Sequence, residues 1–314
     1  MDYINKFRVK PGSKIKLSAI DAGFKDQHES HEHAMPEIEA YSKKMQELQY
    51  LMYAEGKRSL LICLQGRDAA GKDGTINHVL SSMNPQGCTV TGFKVPSKEE
   101  AAHHFLWRYQ QKTPQVGQVG IFNRSHYEDV LVVRVHNLVP KKVWSERYEH
   151  INNFEKLLHD NGTHILKFYL HIDPEEQLER FKQRIVDPAR HWKISDGDYA
   201  ERPFWDEYSK AFEDALDKCS TEHAPWFVIP SNHKWFRNLA ISRIVAETLE
   251  SLDMKFPEPT VDIGEIKQKY HAIVEEEAEA HKQTQAVEPQ AAEQEPGKKK
   301  HKKDKYKKDK KKKG

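Results

Sequence analysis

The chain has 314 residues, 50 basic and 48 acidic, for a formal net charge of +2, a length that suits one large α/β domain with extensions or two modest domains. Twelve lysines and two aspartates lie between Lys298 and Lys313, so residues 1–297 carry 38 basic against 46 acidic side chains, and so acidic a body excludes capture of a polyanion by its overall field, leaving only a local cationic groove. No apolar run reaches membrane-span length, Met1–Phe7 lacks a signal core, and Cys63, Cys88 and Cys219 have no metal-ligand spacing, which predicts buried free thiols and a cytoplasmic, reducing location without membrane contact.

Residues 1–34 are polar and end in the His/Glu-rich stretch His28–His33. Without an ordered scaffold around it, that stretch is read as solvated and not as a metal site. From Pro36 to Glu55, Ile38, Tyr41, Met45, Leu48 and Met52 recur at helical spacing. An apolar strand follows over Ser59–Gln65, then a glycine-rich run and a helix to Met83, broken at Asn84-Pro85. Further strands are predicted over 88–93, 117–122, 164–172 and 226–230. Helices are predicted over 97–111, 144–160 and 234–252. Strands alternating with helices imply right-handed crossovers, a mostly parallel sheet covered on both faces, and ligands at the carboxyl ends of the strands. The polar, aromatic-bearing stretch 187–206 reads as a lid, with an ordinary connecting excursion as the alternative. A further helix over 256–283 leads into a linker and lysine-rich tail over 284–314 that is expected to be disordered.

The run Gly66-Arg67-Asp68-Ala69-Ala70-Gly71-Lys72-Asp73-Gly74 has the G-x-x-x-x-G-K spacing of a phosphate-binding loop. Its glycines let backbone N–H groups approach an anion, the helix starting near Lys72 adds its positive end, and the lysine adds a mobile point charge. The hydroxyl that usually follows the lysine is replaced by Asp73, and Asp68 lies inside the loop. Two carboxylates beside phosphate are favourable only if a metal or cationic side chains intervene, so both are candidate magnesium ligands, with manganese as a substitute ion. At the end of the third strand stands Asn123-Arg124-Ser125-His126-Tyr127-Glu128-Asp129. Arg124 suits bidentate contact with phosphate oxygens, Asn123 can orient water or phosphate, and His126 and Tyr127 are read as packing and hydrogen-bonding residues. Lys94, Arg108, Arg180, Arg184, Arg190 and Lys193 supply more cations than one small dianion needs, a set that suits a long phosphate polymer.

Together, Gly66–Gly74, Phe93-Lys94-Val95-Pro96, Phe105-Leu106-Trp107-Arg108, Phe122–Asp129 and Asp187-Pro188 make the chain resemble the family-2 polyphosphate kinases over roughly residues 35–255. The resemblance implies a thymidylate-kinase-like three-layer P-loop fold with a helical lid, magnesium-dependent phosphoryl transfer between inorganic polyphosphate and nucleotides, and a dimer or tetramer. It implies that Lys72 and the loop hold polyphosphate, that Asp68 organises magnesium and the acceptor phosphate, and that Arg124 contacts the phosphate being transferred. Many relatives have aspartate where this chain has Asn123. The form Asn-Arg-Ser-His-Tyr-Glu-Asp is similar to the subgroup acting on both AMP and ADP, with Glu128 helping to set acceptor choice. The alternatives are an ATP-dependent nucleotide kinase of the same fold and a P-loop nucleic-acid-binding protein using its tail. Lysines with a single Tyr306 provide no stacking platform, which disfavours specific nucleic-acid recognition.

Overall fold

Apolar runs of five to nine residues that cannot be satisfied on one face alone dictate the centre of this molecule. The computed structural model describes residues 1–287; the linker and lysine tail expected over 284–314 therefore lie almost wholly outside the described residues. Five strands form one sheet: β1 (Ser59–Gly66), β2 (Cys88–Gly92), β3 (Val119–Asn123), β4 (Thr163–His171) and β5 (Trp226–Pro230). Their order is β2-β3-β1-β4-β5, and every pairing is parallel. All five expected strands are present, with bounds within two residues.

Period-two alternation divides the core. Leu60, Ile62 and Leu64 of β1 face one apolar cluster, whereas Leu61 and Cys63 face the other. The first cluster is covered by α1 (His31–Glu55), α2 (Lys72–Ser81) and α6 (Lys234–Glu250), and the second by α3 (Lys141–Asp160) and α5 (Trp205–Cys219). Helix α4 (Pro174–Val186) follows β4, and α7 (Ile263–Val287) follows the body. The result is a three-layer α/β fold around an all-parallel sheet.

Three expectations are corrected. The segment 1–34, expected as a polar extension, packs into the body: Tyr3, Phe7, Val9 and Leu17 are buried and Val9 N–H donates to Trp226 O at 2.8 Å. The His/Glu stretch starts α1 five residues early: Ser30 caps it by accepting from His33 N–H, and His28 Nε2 lies 3.0 Å from Glu37. The helix predicted over 97–111 is two short turns, Lys98–Ala102 and Trp107–Gln110, because His103 is extended. That break turns Leu106, Arg108 and Tyr109 into the body, where all three are buried.

Residues Met1–Pro257 form one compact unit, and the described residues from Glu258 onward belong to a second. No described helix is long and apolar enough to cross a membrane.

Candidate active site

The glycine-rich loop leaves β1 at its carboxyl end and enters α2 at Lys72. Its shape is enforced from beneath. Gly71 has φ +104°, and a Cβ there would stand 1.9 Å from Arg237 Nη1, so no other residue fits this backbone. Arg180 Nη1 donates to the carbonyls of Ala69 (2.8 Å) and Ala70 (3.0 Å), and its Nη2 to Asn232 O (3.1 Å). Arg237 reaches Ala70 O at 3.4 Å and Asn238 Oδ1 at 2.8 Å. Burial, with Arg180 beside it, pushes the Arg237 guanidinium down to about 9. Two cations thus lie under the loop, bonded to its carbonyls.

Lys72 Nζ donates to Gly66 O at 2.7 Å and Arg67 O at 3.2 Å. Burial and then Arg124 lower its pKa, while Asp68 pulls the other way. Asp73, in the first turn of α2, accepts from Asn123 Nδ2 at 2.9 Å. Register explains this meeting, since Asn123 at the end of β3 pairs with Leu64 of β1, two residues before the loop.

Arg124 follows β3 in the left-handed region, φ 62°, with its N–H held by Leu64 O at 3.1 Å. From there its guanidinium bridges Asp68 Oδ1 at 3.0 Å and Glu128 Oε2 at 3.5 Å. Burial opposes the charge on Arg124, but Glu128 and Asp68 outweigh it and raise its pKa. Burial raises the Glu128 carboxyl, opposed by Arg124 and Lys72. His126 and Tyr127 turn away from this cluster. Both bond to Glu155 Oε1 at 2.9 Å, and Lys167 Nζ bonds to Glu155 Oε2 at 2.5 Å, all fully buried.

Two cavities meet at the Asp68–Arg124 pair. The larger, about 270 Å³, is an open groove lined by Asp68, Ala69, Gly71, Lys72, Asp73 and Gly74 of the loop, Lys94, Asn123 and Arg124 at strand ends, and Arg184, Lys193 and Asp198. The smaller, about 50 Å³, is lined by Gly66, Arg67, Asp68, Arg124 and Glu128 against Leu131, Val132, Arg202, Trp205, Tyr208 and Phe212. The first is polar and cationic at its rim; the second has an aromatic and aliphatic wall. The stretch 187–206 folds into short helical turns and is tied down by Arg184 Nη1 to Asp198 Oδ2 at 2.8 Å. Lys193 Nζ stands 3.9 Å from Asp73.

Several predicted phosphate ligands are elsewhere. Arg180 is occupied by loop carbonyls. Arg108 is buried, donates to Lys94 O at 2.7 Å and lies about 5 Å from the centres of the Phe93 and Tyr109 rings. Arg190 pairs with Asp187 at 2.8 Å and lines neither cavity. Arg67 lies over Trp205 at 3.7 Å and donates to Trp205 O and Ser209 Oγ at 2.7 and 2.6 Å. Ala70 is fully buried, contributing its carbonyl to the arginines below. Sequence reasoning missed Arg237 and the aromatic wall. Trp205, Tyr208 and Phe212 recur at i, i+3 and i+7, a spacing that marks one helix face but does not say whether it meets core or cavity.

The family model described as Polyphosphate kinase 2 (PPK2) matches residues 25–257. An AMP/ADP-polyphosphate phosphotransferase from Meiothermus ruber is 47% identical over 257 residues, 82% of this chain and 96% of the relative. An ADP-polyphosphate phosphotransferase from Rhodopseudomonas palustris is 43% identical, covering 81% and 92%. The crystal structure of a polyphosphate kinase 2 from Arthrobacter aurescens TC1 superposes with a TM-score of 0.83 at 38% identity, covering 88% of this chain and 97% of that one. With a P-loop closing on a cationic groove and a family model spanning most of the body, the chain belongs to the polyphosphate kinase 2 family.

Proposed function

We propose that this protein transfers phosphoryl groups from inorganic polyphosphate to AMP and to ADP. One observation carries the reading: Asp68 and Arg124 line both cavities, so a donor in the cationic groove and an acceptor against the aromatic wall would meet at that pair. The names of the relatives, which act on AMP, ADP and polyphosphate, support the same assignment.

The chain's residues divide the work by position. Lys72, Arg184 and Lys193 hold the polymer's oxygens along the groove, and the loop amides hold them from below. The acceptor's phosphate oxygen attacks the terminal phosphorus in line, the bond to the rest of the polymer breaks, and the chain leaves one phosphate shorter. Arg124 and Lys72 offset charge on the equatorial oxygens. Glu128, on the acceptor side beside Arg124, bears on the length of the acceptor's phosphate chain. The lid excludes water that would hydrolyse the polymer.

Magnesium fits on the chemistry of the donor set. Among the described residues no group of three or more His, Cys, Asp or Glu forms a metal cage, but Asp68 and Asp73 line one groove. An ion bound through one or two carboxylates, several waters and substrate phosphates needs no more. When bound it would neutralise phosphate charge.

Incubating the full chain with magnesium, polyphosphate and either AMP or ADP should yield ADP and ATP from the first and ATP from the second, separated by chromatography. Lys72→Ala should lower both rates about a thousandfold with an unchanged circular dichroism spectrum. Efficient transfer from ATP to AMP with none from polyphosphate would make the protein an ATP-dependent kinase instead.

A further inference from the structure

Arg67 belongs to the cationic groove by its backbone and to the aromatic wall by its side chain. Its carbonyl accepts from Lys72 Nζ at 3.2 Å, and Lys72 lines the groove. Its guanidinium is buried, lies 3.7 Å from the centre of the Trp205 ring, and donates to Trp205 O at 2.7 Å and Ser209 Oγ at 2.6 Å. A planar fork stacks with its face while donating with its edge, which an ammonium cannot do. The next loop residue makes a second clasp. Gln177, buried on α4, donates from Nε2 to Asp68 O at 2.9 Å and accepts from Arg202 Nη1 at 2.8 Å. Arg202 and Trp205 both line the smaller cavity. Two consecutive loop residues therefore fasten the start of α5, one by its side chain and one by its carbonyl.

Lys72 has three N–H donors, and it gives two of them to the carbonyls of Gly66 and Arg67. Oxygens of a polymer in the groove compete for those donors. An ammonium that turns toward them releases the Arg67 peptide, whose side chain holds Trp205. We propose that Arg67 is a positioning residue that passes occupancy of the groove to the wall, so that AMP or ADP binds more tightly once polymer is in place, an inference that rests on the reading of the groove as donor site and the wall as acceptor site. With the loop held by polymer, the acceptor no longer has to fix the wall it binds. By linkage, the acceptor tightens the polymer by the same factor.

Initial rates of the full chain over a grid of AMP and polyphosphate concentrations, with magnesium in excess, test the coupling. The KM for AMP should fall about tenfold between low and saturating polyphosphate. In Arg67→Met that fall should vanish, while the KM for polyphosphate at low AMP stays within about twofold of the native value. Arg67→Lys keeps the charge but loses the stacked fork, and should behave as Arg67→Met. Ser209→Ala, outside both cavities, removes one anchor of the guanidinium and should shrink the fall to about threefold; it decides the matter if Arg67→Met does not fold. Native behaviour in Arg67→Lys, or a raised KM for polyphosphate at low AMP, would make Arg67 a phosphate ligand and overturn the proposal. So would a native KM for AMP that ignores polyphosphate, or variants that lose kcat and thermal stability with the fall in KM intact. If the native chain draws on ATP and not on polyphosphate, the proposed donor is wrong, and the same grid with ATP as donor still tests Arg67.

Discussion

Arg180 and Arg184 stand four residues apart on α4, yet one grips the loop from beneath and the other lines the groove. Sequence cannot separate them, because a row of cations on a helix has the same pattern whether it meets carbonyls, a polymer or solvent. The difference is measurable. Arg180→Met should leave the Ala69 carbonyl without this donor and the buried Ala70 carbonyl with only the long bond from Arg237, and lower the unfolding free energy by on the order of 3 kcal/mol, read by urea denaturation. Arg190→Ala, exposed and paired only with Asp187, should stay within about 0.5 kcal/mol of the native chain. Unchanged stability in Arg180→Met, with a raised KM for polyphosphate, would return Arg180 to the ligand set. The loop itself was legible because its chemistry is contiguous: Gly66 to Gly74 contains the turn, the cation and the helix start in nine residues. The aromatic wall was not, since Trp205, Tyr208 and Phe212 reach the loop only through tertiary packing.

At the scale of elements, the strands were legible because burial on both faces writes an uninterrupted apolar run. The helix predicted over 97–111 breaks at the extended His103, and the turn that restarts at Trp107 buries Arg108 and Tyr109. Strand β4 carries a lysine in its buried interior, Lys167, whose ammonium meets Glu155 of α3, Tyr127 OH at 2.8 Å and Cys219 O at 2.6 Å. Burial pushes the Glu155 carboxyl up, but Lys167 and His126 outweigh it and hold it below its ordinary value of 4.5. A carboxyl with a depressed folded pKa adds stability above its unfolded pKa and loses it as pH falls through the folded one. Lys167→Met removes the charge that depresses Glu155 and should cost about 3–5 kcal/mol at pH 7. That deficit should shrink between pH 7 and 4, as Glu155 takes up a proton in the variant. Unfolding free energies that differ by the same amount at every pH would show that lost packing, not the unpaired carboxylate, sets the cost.

For the whole molecule, the N-terminal segment matters more than its composition implies. Tyr3 and Phe7 are buried with ring centroids 5.9 and 6.0 Å from that of Phe236 on α6, so Phe7→Ala should cost about 3–5 kcal/mol. Thermal melting with and without substrate should show that loss, while kcat at a permissive temperature stays near the native value because Phe7 lines neither cavity. The buried residues Tyr3, Phe7, Val9 and Leu17 were hidden because they follow one another at steps of four, two and eight, which fit neither a helix nor a strand period. Their pairing also fixes an order of events during synthesis. Arg8 bridges to Phe227 on the outer edge of β5, so the stretch around Arg8 finds its partner only after more than two hundred further residues have been added. At typical elongation rates that interval is roughly ten to forty seconds, during which the Tyr3 and Phe7 rings and an incomplete sheet are both uncovered, and this packing closes only when β5 and α6 have been made.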